Sequence, residues 1–100
     1  MKVYLDDVRP APEGWTLATT AQQAIDLLQQ HQVTHISLDH DLGPPEAGTG
    51  YDVILWLEKA LFDEGRPLPI VLLHTANPVA RARMLLGLES CRRGVTQWME

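Results

Sequence analysis

Acidic and imidazole side chains follow three separate apolar runs of this sequence. Asp6 and Asp7 follow the first run, an Asp-His-Asp triplet at residues 39–41 follows the second, and His74 follows the third. Two unit charges about 4 Å apart repel by roughly 4 kcal/mol at an effective dielectric of about 20. A cluster of carboxylates therefore persists where a cation neutralises it or where one carboxyl keeps its proton.

If the three runs are adjacent strands, their acids form one pocket that suits a divalent metal. Oxygen ligands supplied by the ends of loops favour a hard cation, Mg²⁺ or Mn²⁺ above all. Such an ion also holds phosphate oxygens and balances the charge of an anionic substrate. The predicted metal ligands are Asp6, Asp7, Asp39 and Asp41.

The same region contains side chains that can move protons and bind phosphate. His40 and His74 are predicted to act as general acid and general base, because imidazole changes charge near neutral pH. A helix predicted to begin at Asn77 has free N–H groups that favour an anion. Arg9, and Arg81 one turn into that helix, can pair with a phosphate by a forked contact. Together these residues predict phosphoester chemistry.

Each of these assignments has a structural alternative that the sequence leaves open. In that alternative Asp6 and Asp7 only cap a turn, and His74 is a hydrogen-bonded core histidine. Asn77 is then only a helix cap, and Arg9 only pairs with a neighbouring acid. The coincidence of three strand ends favours the functional interpretation.

The elements that must position these residues form an α/β fold with a small parallel sheet. The predicted strands are residues 2–6, 15–18, 35–38 and 69–73, and the predicted helices are residues 20–31, 51–64 and 77–92. Two prolines exclude a helix between the first two strands. Right-handed crossovers then give the strand order 2-1-3-4, with the first two helices on one face. The loop at residues 43–50 is predicted to form a wall or lid beside the acids.

The second face of the predicted sheet also needs cover. Either the last helix and the tail supply it, or a second subunit does, and we expect a homodimer. Gly94 is predicted to end the last helix, which leaves residues 95–100, with Trp98, as a docked or frayed tail. The strand at residues 69–73 is expected to be buried.

Length and composition limit the classes of protein that this chain can represent. One hundred residues fit one domain, residues 1–100. The net charge of −5 excludes an extended nucleic-acid or anionic-membrane surface. No apolar run is long enough to span a bilayer, and residues 1–7 do not resemble a signal peptide. The single cysteine, Cys91, indicates the cytoplasm and is expected to be inert.

The acids at two strand ends resemble the acidic pocket of response-regulator receiver domains, which have a flavodoxin-like fold. The resemblance implies that Asp6 and Asp7 are metal-site acids and that Asp39 is the phosphoacceptor. It also implies that Thr75 and Ala76 are the pair that follows the fourth strand, which places Thr75 at the phosphate. A receiver has a helix after its first strand and a fifth strand preceded by a lysine. This chain is therefore predicted to be a truncated receiver-like fold that lacks both elements.

Three motifs resemble a more specific family, the cyclic-phosphate processing receiver domains. They are Leu-Asp-Asp-Val-Arg-Pro at residues 5–10, Leu-Asp-His-Asp-Leu-Gly at residues 38–43, and His-Thr-Ala-Asn-Pro at residues 74–78. The resemblance spans nearly the whole chain. It implies processing of a cyclic phosphate, of the nucleotide or RNA-end type, in bacterial conflict or RNA-repair systems.

The leading hypothesis is a metal-assisted phosphoesterase that acts on a cyclic phosphate. In it Asp6, Asp7, Asp39 and Asp41 surround the metal, His40 and His74 move protons, and Arg9, Thr75 and Asn77 bind the substrate. Two alternatives stay open. One is a phosphoacceptor module modified at Asp39, and the other is a module that binds a cyclic nucleotide without cutting it.

Overall fold

The computed structural model describes residues 1–99 and the side chains of residues 1–93. The four strands are β1 (Lys2–Leu5), β2 (Thr16–Ala18), β3 (His35–Leu38) and β4 (Ile70–Leu73). The helices are α1 (Ala21–Gln30), α2 (Gly50–Glu64) and α3 (Pro78–Met99), with a short 3₁₀ turn at Pro45–Ala47. None of the described helices is long and apolar enough to cross a membrane.

All strand pairs are parallel, and the order is β2-β1-β3-β4, as the sequence predicts. Leu5 lies opposite both Ala18 and Leu38, and Leu38 lies opposite Leu73. The four strands therefore end level with one another. The residues that follow β1, β3 and β4 meet at one edge, as expected of the carboxyl ends of parallel strands.

One face of the sheet forms the hydrophobic core, because alternate side chains of a strand point to the same side. Val3, Leu5, Ile36 and Leu38 are fully buried on this face. Residues from all three helices join the same cluster, among them Ala24, Ile54, Met84 and Leu88. The three helices therefore lie together on one side of the sheet.

Helix α2 begins in direct contact with the end of β3. Thr49 and Asp52 form a capping box, in which each side chain accepts the backbone N–H of the other residue. The Gly50 N–H donates to the His40 carbonyl over 3.1 Å. A Cβ at Gly50 would lie 1.9 Å from the carbonyl oxygen of Asp39, so only glycine fits there. The sequence predicted this helix from residue 51 and missed the capping box.

Helix α3 continues past Gly94 to Met99, so the prediction that Gly94 ends it is wrong. A glycine inside a helix costs only about 1 kcal/mol relative to alanine, and no proline follows here to stop the helix. The predicted docking of Trp98 lies outside the described side chains.

The second face of the sheet is covered by none of the described helices. We call it the uncovered face, and its residues include Tyr4, Leu17, Ser37, Ile70 and Leu72, which alternate with the core residues along the strands. Leu17, Ile70 and Leu72 are 45%, 57% and 46% exposed. The prediction of a buried fourth strand is therefore wrong for this face, because β4 is an edge strand covered on one side only. The homodimer stays a prediction.

Candidate functional site

A cleft of about 490 Å³ opens at the carboxyl edge of the sheet. It is lined by Asp6, Asp7, Val8, Arg9, Asp39, Asp41, Gly43, Ala76 and Asn77. These residues come from the segments that follow β1, β3 and β4. The fold thus brings together residues that are up to about seventy positions apart in the sequence.

Asp6 is the most buried acid of the cleft, with 2% of its surface exposed. Its Oδ1 accepts the backbone N–H groups of Val8 and Arg9, both over 2.9 Å. Its Oδ2 lies 3.0 Å from Nε2 of His74. Burial disfavours the ionised form, but the N–H donors of Arg9 and Val8 and the contact with His74 outweigh it. The pKa of Asp6 therefore lies below its ordinary value.

The turn-capping interpretation of Asp6 is confirmed for one carboxylate oxygen, and its role as a metal ligand stays a prediction. Oδ1 caps the turn after β1, which is why the chain can fold back sharply without a helix. Oδ2 faces His74, so it is the oxygen available to a ligand.

Asp39 is partly buried, and its pKa is shifted in the opposite direction to that of Asp6. Burial raises the pKa of Asp39 above its ordinary value, and the nearby charge of Asp6 adds to the effect. The His40 N–H, which donates to Oδ1 over 2.8 Å, lowers the pKa but does not outweigh them. A cation beside Asp39 would relieve this repulsion and favour its ionised form.

Asp6, Asp39 and His74 form the compact group of potential metal ligands among the described residues. One ligand atom from each lies within 4.8 Å of the others. Two carboxylate oxygens and one imidazole nitrogen are a donor set that suits a divalent metal, so the residues fit such an ion. Asp7 and Asp41 line the cleft but are exposed and lie outside this group. Their role as ligands stays a prediction.

The ring of His74 is held on three sides. Tyr4 stacks on it with ring centroids 4.3 Å apart and planes 3° from parallel. Ser37 Oγ lies 2.7 Å from Nδ1, and Asp6 lies at Nε2. Sequence reasoning missed Tyr4 and Ser37. The available signal was a serine inside an otherwise apolar strand.

His40 stands between two residues that line the cleft, Asp39 and Asp41, is not itself among the lining residues, and pairs with Asp41. Its Nδ1 is 2.9 Å from Oδ1 of Asp41, and its side chain is mostly buried. The pair is separate from the group around His74. The two predicted proton carriers therefore have different surroundings, one beside an exposed acid and one beside a buried acid.

Arg9 crosses from the turn after β1 to the end of β4. Its guanidinium donates to the His74 carbonyl over 3.3 Å, and the residue lines the cleft. Arg81 donates instead to the carbonyl of Leu73 over 3.1 Å. Of the two arginines considered for phosphate, Arg9 is the one among the residues that line the cleft.

Side chains next to the start of α3 accept several of the backbone N–H groups there. Asn77 Oδ1 accepts the N–H groups of Val79 and Ala80, both over 3.1 Å, so Asn77 is the helix cap. Thr75 Oγ1 accepts the N–H of Asn77 over 3.2 Å. The amide nitrogen of Asn77 and the hydroxyl hydrogen of Thr75 are the groups left to donate to a ligand. Their role in substrate binding stays a prediction.

A second cavity, of about 380 Å³, lies near the opposite end of the sheet. Trp56, Leu57 and Leu68 are among its apolar lining residues. Arg66 also lines it, but its guanidinium contacts Glu64 over 2.5 Å and lies 5.9 Å from the ring centroid of Trp56. The described residues of this cavity do not bring together acids and imidazoles, so we place the chemistry in the first cleft.

Comparison with known proteins finds a family match for this chain. The family model for the cyclic-phosphate processing receiver domain matches residues 1–90. No curated protein and no solved structure matches the chain. The matched region includes all four strands, the first two helices and every residue of the cleft. The chain therefore belongs to the family of cyclic-phosphate processing receiver domains.

Proposed function

We propose that this domain is a metal-assisted phosphoesterase that opens a cyclic phosphodiester. The observation that carries the proposal is the group formed by Asp6, Asp39 and His74, whose ligand atoms lie within 4.8 Å of one another; its two acids line the cleft together with Arg9. A receiver domain in cyclic-phosphate processing needs groups that handle a phosphate, and we assign this role to the acids and Arg9 of the cleft. The substrate would be a nucleotide or an RNA end, as expected of bacterial conflict or RNA-repair systems.

Asp6, Asp39 and His74 would hold the metal, with Asp7 and Asp41 in its surroundings. Of the two predicted ions, an imidazole ligand favours Mn²⁺ over Mg²⁺, which prefers oxygen ligands alone. When bound, the ion supplies a Lewis acid that polarises the phosphate and lowers the pKa of a water.

Arg9 would bind a phosphate oxygen of the substrate. A guanidinium presents several N–H groups in one plane, which suits the oxygens of a phosphate. Its hydrogen bond to the His74 carbonyl is long at 3.3 Å, so exchanging it for a charged acceptor is favourable. The Asn77 amide and the Thr75 hydroxyl would add neutral donors on the other side of the cleft.

His40 would transfer the proton of the reaction. Asp41 holds its Nδ1, which leaves Nε2 free to exchange a proton with the substrate. In the hydrolysis, a water oxygen bonds to phosphorus and one ester P–O bond of the ring breaks. The leaving oxygen takes a proton, and the product is a phosphate monoester.

Phosphorus NMR tests this proposal directly. The protein is mixed with Mn²⁺ or Mg²⁺ and with a 2′,3′-cyclic nucleotide, a 3′,5′-cyclic nucleotide, or a short RNA ending in a cyclic phosphate. We expect one cyclic resonance to convert to a monoester, and the conversion to stop with EDTA and with Asp39→Asn. Asp63→Asn, an exposed acid near the end of α2, is the matched control and should retain the activity.

Other outcomes would favour the two alternative functions. Line broadening of a cyclic phosphate without conversion would indicate a binding module. An added phosphoryl mass after treatment with acetyl phosphate and Mg²⁺, lost in Asp39→Asn, would indicate a phosphoacceptor. Either result without ring opening would contradict the esterase proposal.

A further inference from the structure

Ser37 is a buried polar residue with no part in the chemistry proposed above. It lies in the middle of β3 and is 6% exposed. A buried hydroxyl without a partner costs free energy, so a serine in a strand core needs a hydrogen bond. That partner is Nδ1 of His74, 2.7 Å from Ser37 Oγ.

The contacts of His74 direct one ring nitrogen, Nε2, towards the two acids of the metal group. The Tyr4 ring stacks on one face of the imidazole, which restricts its tilt. Ser37 occupies Nδ1, so Nε2 is the nitrogen that reaches Asp6 and belongs to the ligand group. Rotation of the ring by half a turn would break both hydrogen bonds at once.

We propose that Ser37 is a positioning residue, whose hydroxyl holds His74 with Nε2 directed at Asp6 and Asp39. The proposal rests on the metal group of the proposed function but not on any hydrolytic activity. It assigns to β3 a second contribution to the site, in addition to Asp39 at its end.

A hydroxyl suits this position because it can reverse its role. Without a metal, Nε2 carries the hydrogen and donates to Asp6, so Ser37 donates to Nδ1. When Nε2 binds a cation, the ring hydrogen is on Nδ1, and Ser37 accepts it. An alanine could support neither state, whereas a threonine retains the hydroxyl.

Ser37 is not positioned to be a nucleophile. Its hydroxyl contacts His74, which contacts Asp6, so the three residues are linked in the same succession as a serine–histidine–aspartate triad. The hydroxyl is buried within the strand, and Ser37 is absent from the described lining of the cleft. Ser37 also bonds Nδ1 of His74, whereas the nucleophile of such a triad bonds Nε2.

The test compares Ser37→Ala and Ser37→Thr with the wild-type protein by two measurements. Mn²⁺ binding is followed by electron paramagnetic resonance, and the ring nitrogens of His74 by long-range ¹H–¹⁵N NMR of the metal-free protein. In Ser37→Ala we expect Mn²⁺ affinity to fall about 10- to 100-fold. We also expect the Nδ1 resonance to shift towards that of an unbonded nitrogen. Ser37→Thr should retain most of both properties.

Thr34→Ala is a matched control in the same part of the chain. Thr34 Oγ1 lies 2.9 Å from Nδ1 of His35, so the variant removes the same type of contact near the opposite end of the sheet. It should leave Mn²⁺ affinity and the His74 resonances unchanged.

Two results would overturn the proposal. One is a Ser37→Ala protein that binds Mn²⁺ as tightly as the wild type. The other, decisive even if the wild type binds no Mn²⁺, is an unchanged Nδ1 resonance of His74 in a folded Ser37→Ala protein. Loss of Mn²⁺ affinity in Ser37→Ala, in a protein that opens no cyclic phosphate, would support this inference while contradicting the esterase.

Discussion

At the scale of single residues, the two acids of the metal group respond to pH in opposite directions. The pKa of Asp6 lies below the unfolded value of 3.8, so the folded state releases this proton more easily. Its contribution to stability is present above about pH 4 and is lost as pH falls through the folded pKa. The pKa of Asp39 lies above 3.8, so its ionisation lowers stability as pH rises from 3.8 through its folded pKa.

Asp39→Asn should therefore stabilise the metal-free protein at neutral pH. Asp6 and Asp39 have carboxylate oxygens within 4.8 Å. Two unit charges at that separation repel by about 3 kcal/mol at an effective dielectric of about 20, and the charges of His74 and Arg9 reduce this, so we expect a gain of about 1–3 kcal/mol. Urea unfolding in EDTA should show a gain of this size at pH 7 that shrinks towards pH 4. Asp41→Asn, an exposed acid, should change the free energy of unfolding little, and a loss of stability in Asp39→Asn would contradict the prediction.

Asp6→Asn should have the opposite effect. The carboxylate accepts two backbone N–H groups and contacts His74, and hydrogen bonds to a charged group contribute roughly 1.5–3 kcal/mol. We expect the variant to lose stability by this order at pH 7. The difference should narrow as pH falls below about 4, because the unfolded chain then binds a proton at Asp6, and the folded carboxylate binds one only at its lower pKa. The comparison is Asp7→Asn, an exposed neighbour, and equal losses in both variants would count against it.

At the scale of elements, local sequence patterns predicted the strands and their order. They did not predict side-chain contacts between strands, which depend on the register of strand pairing. The apolar runs identified all four strands, and the order followed from the handedness of crossovers. The acids that follow the strands lie at one edge because all four strands are parallel. Ser37 and Tyr4 were missed because their contact with His74 crosses strands and depends on which residues stand opposite. The length of α3 was missed because a glycine weakens a helix without ending it.

Gly50 couples α2 to the site, so its replacement should affect both stability and metal binding. The Cβ of Gly50→Ala would lie 1.9 Å from the Asp39 carbonyl oxygen, which is backbone and cannot turn aside. Overpacking of this kind costs typically 1–3 kcal/mol. We expect a lower melting temperature and weaker Mn²⁺ binding.

Gly87→Ala is the matched control for this prediction, because Gly87 is also a helical glycine. Its Cβ would lie 2.8 Å from the Cγ2 methyl of the buried Ile54, so this variant also overpacks a helix contact, but away from Asp39. The metal group should be unaffected in this variant. Equal Mn²⁺ affinities of Gly50→Ala and the wild type would show that α2 does not position Asp39.

At the scale of the whole molecule, the uncovered face is unusual for a parallel sheet, which is normally covered on both sides. Three strands of four residues and one of three, spaced about 4.8 Å apart with a rise of about 3.3 Å, present a face of about 240 Å². A standard interface buries about 800 Å² on each partner. A homodimer through this face alone would therefore be weak.

Sedimentation at increasing protein concentration tests this form of the dimer prediction. We expect the average mass to rise with concentration in the wild type and to stay monomeric in Leu72→Lys, which puts a charge on the uncovered face. Leu55→Lys is a matched control, because Leu55 on α2 has the same exposure of 46%. If both variants associate like the wild type, the second copy does not use this face.

The packing of α3 also gives the protein a natural kinetic reporter. Cys91 is its only thiol; it is buried, 4.0 Å from the Ile54 carbonyl of α2, and burial raises its pKa to about 11. A thiol reagent can reach the sulfur only while the two helices are apart, and then the thiol has its ordinary reactivity. The labelling rate of the unmodified protein therefore measures how often α2 and α3 separate. A ligand that slows this rate binds more tightly to the closed helix pair than to the open one.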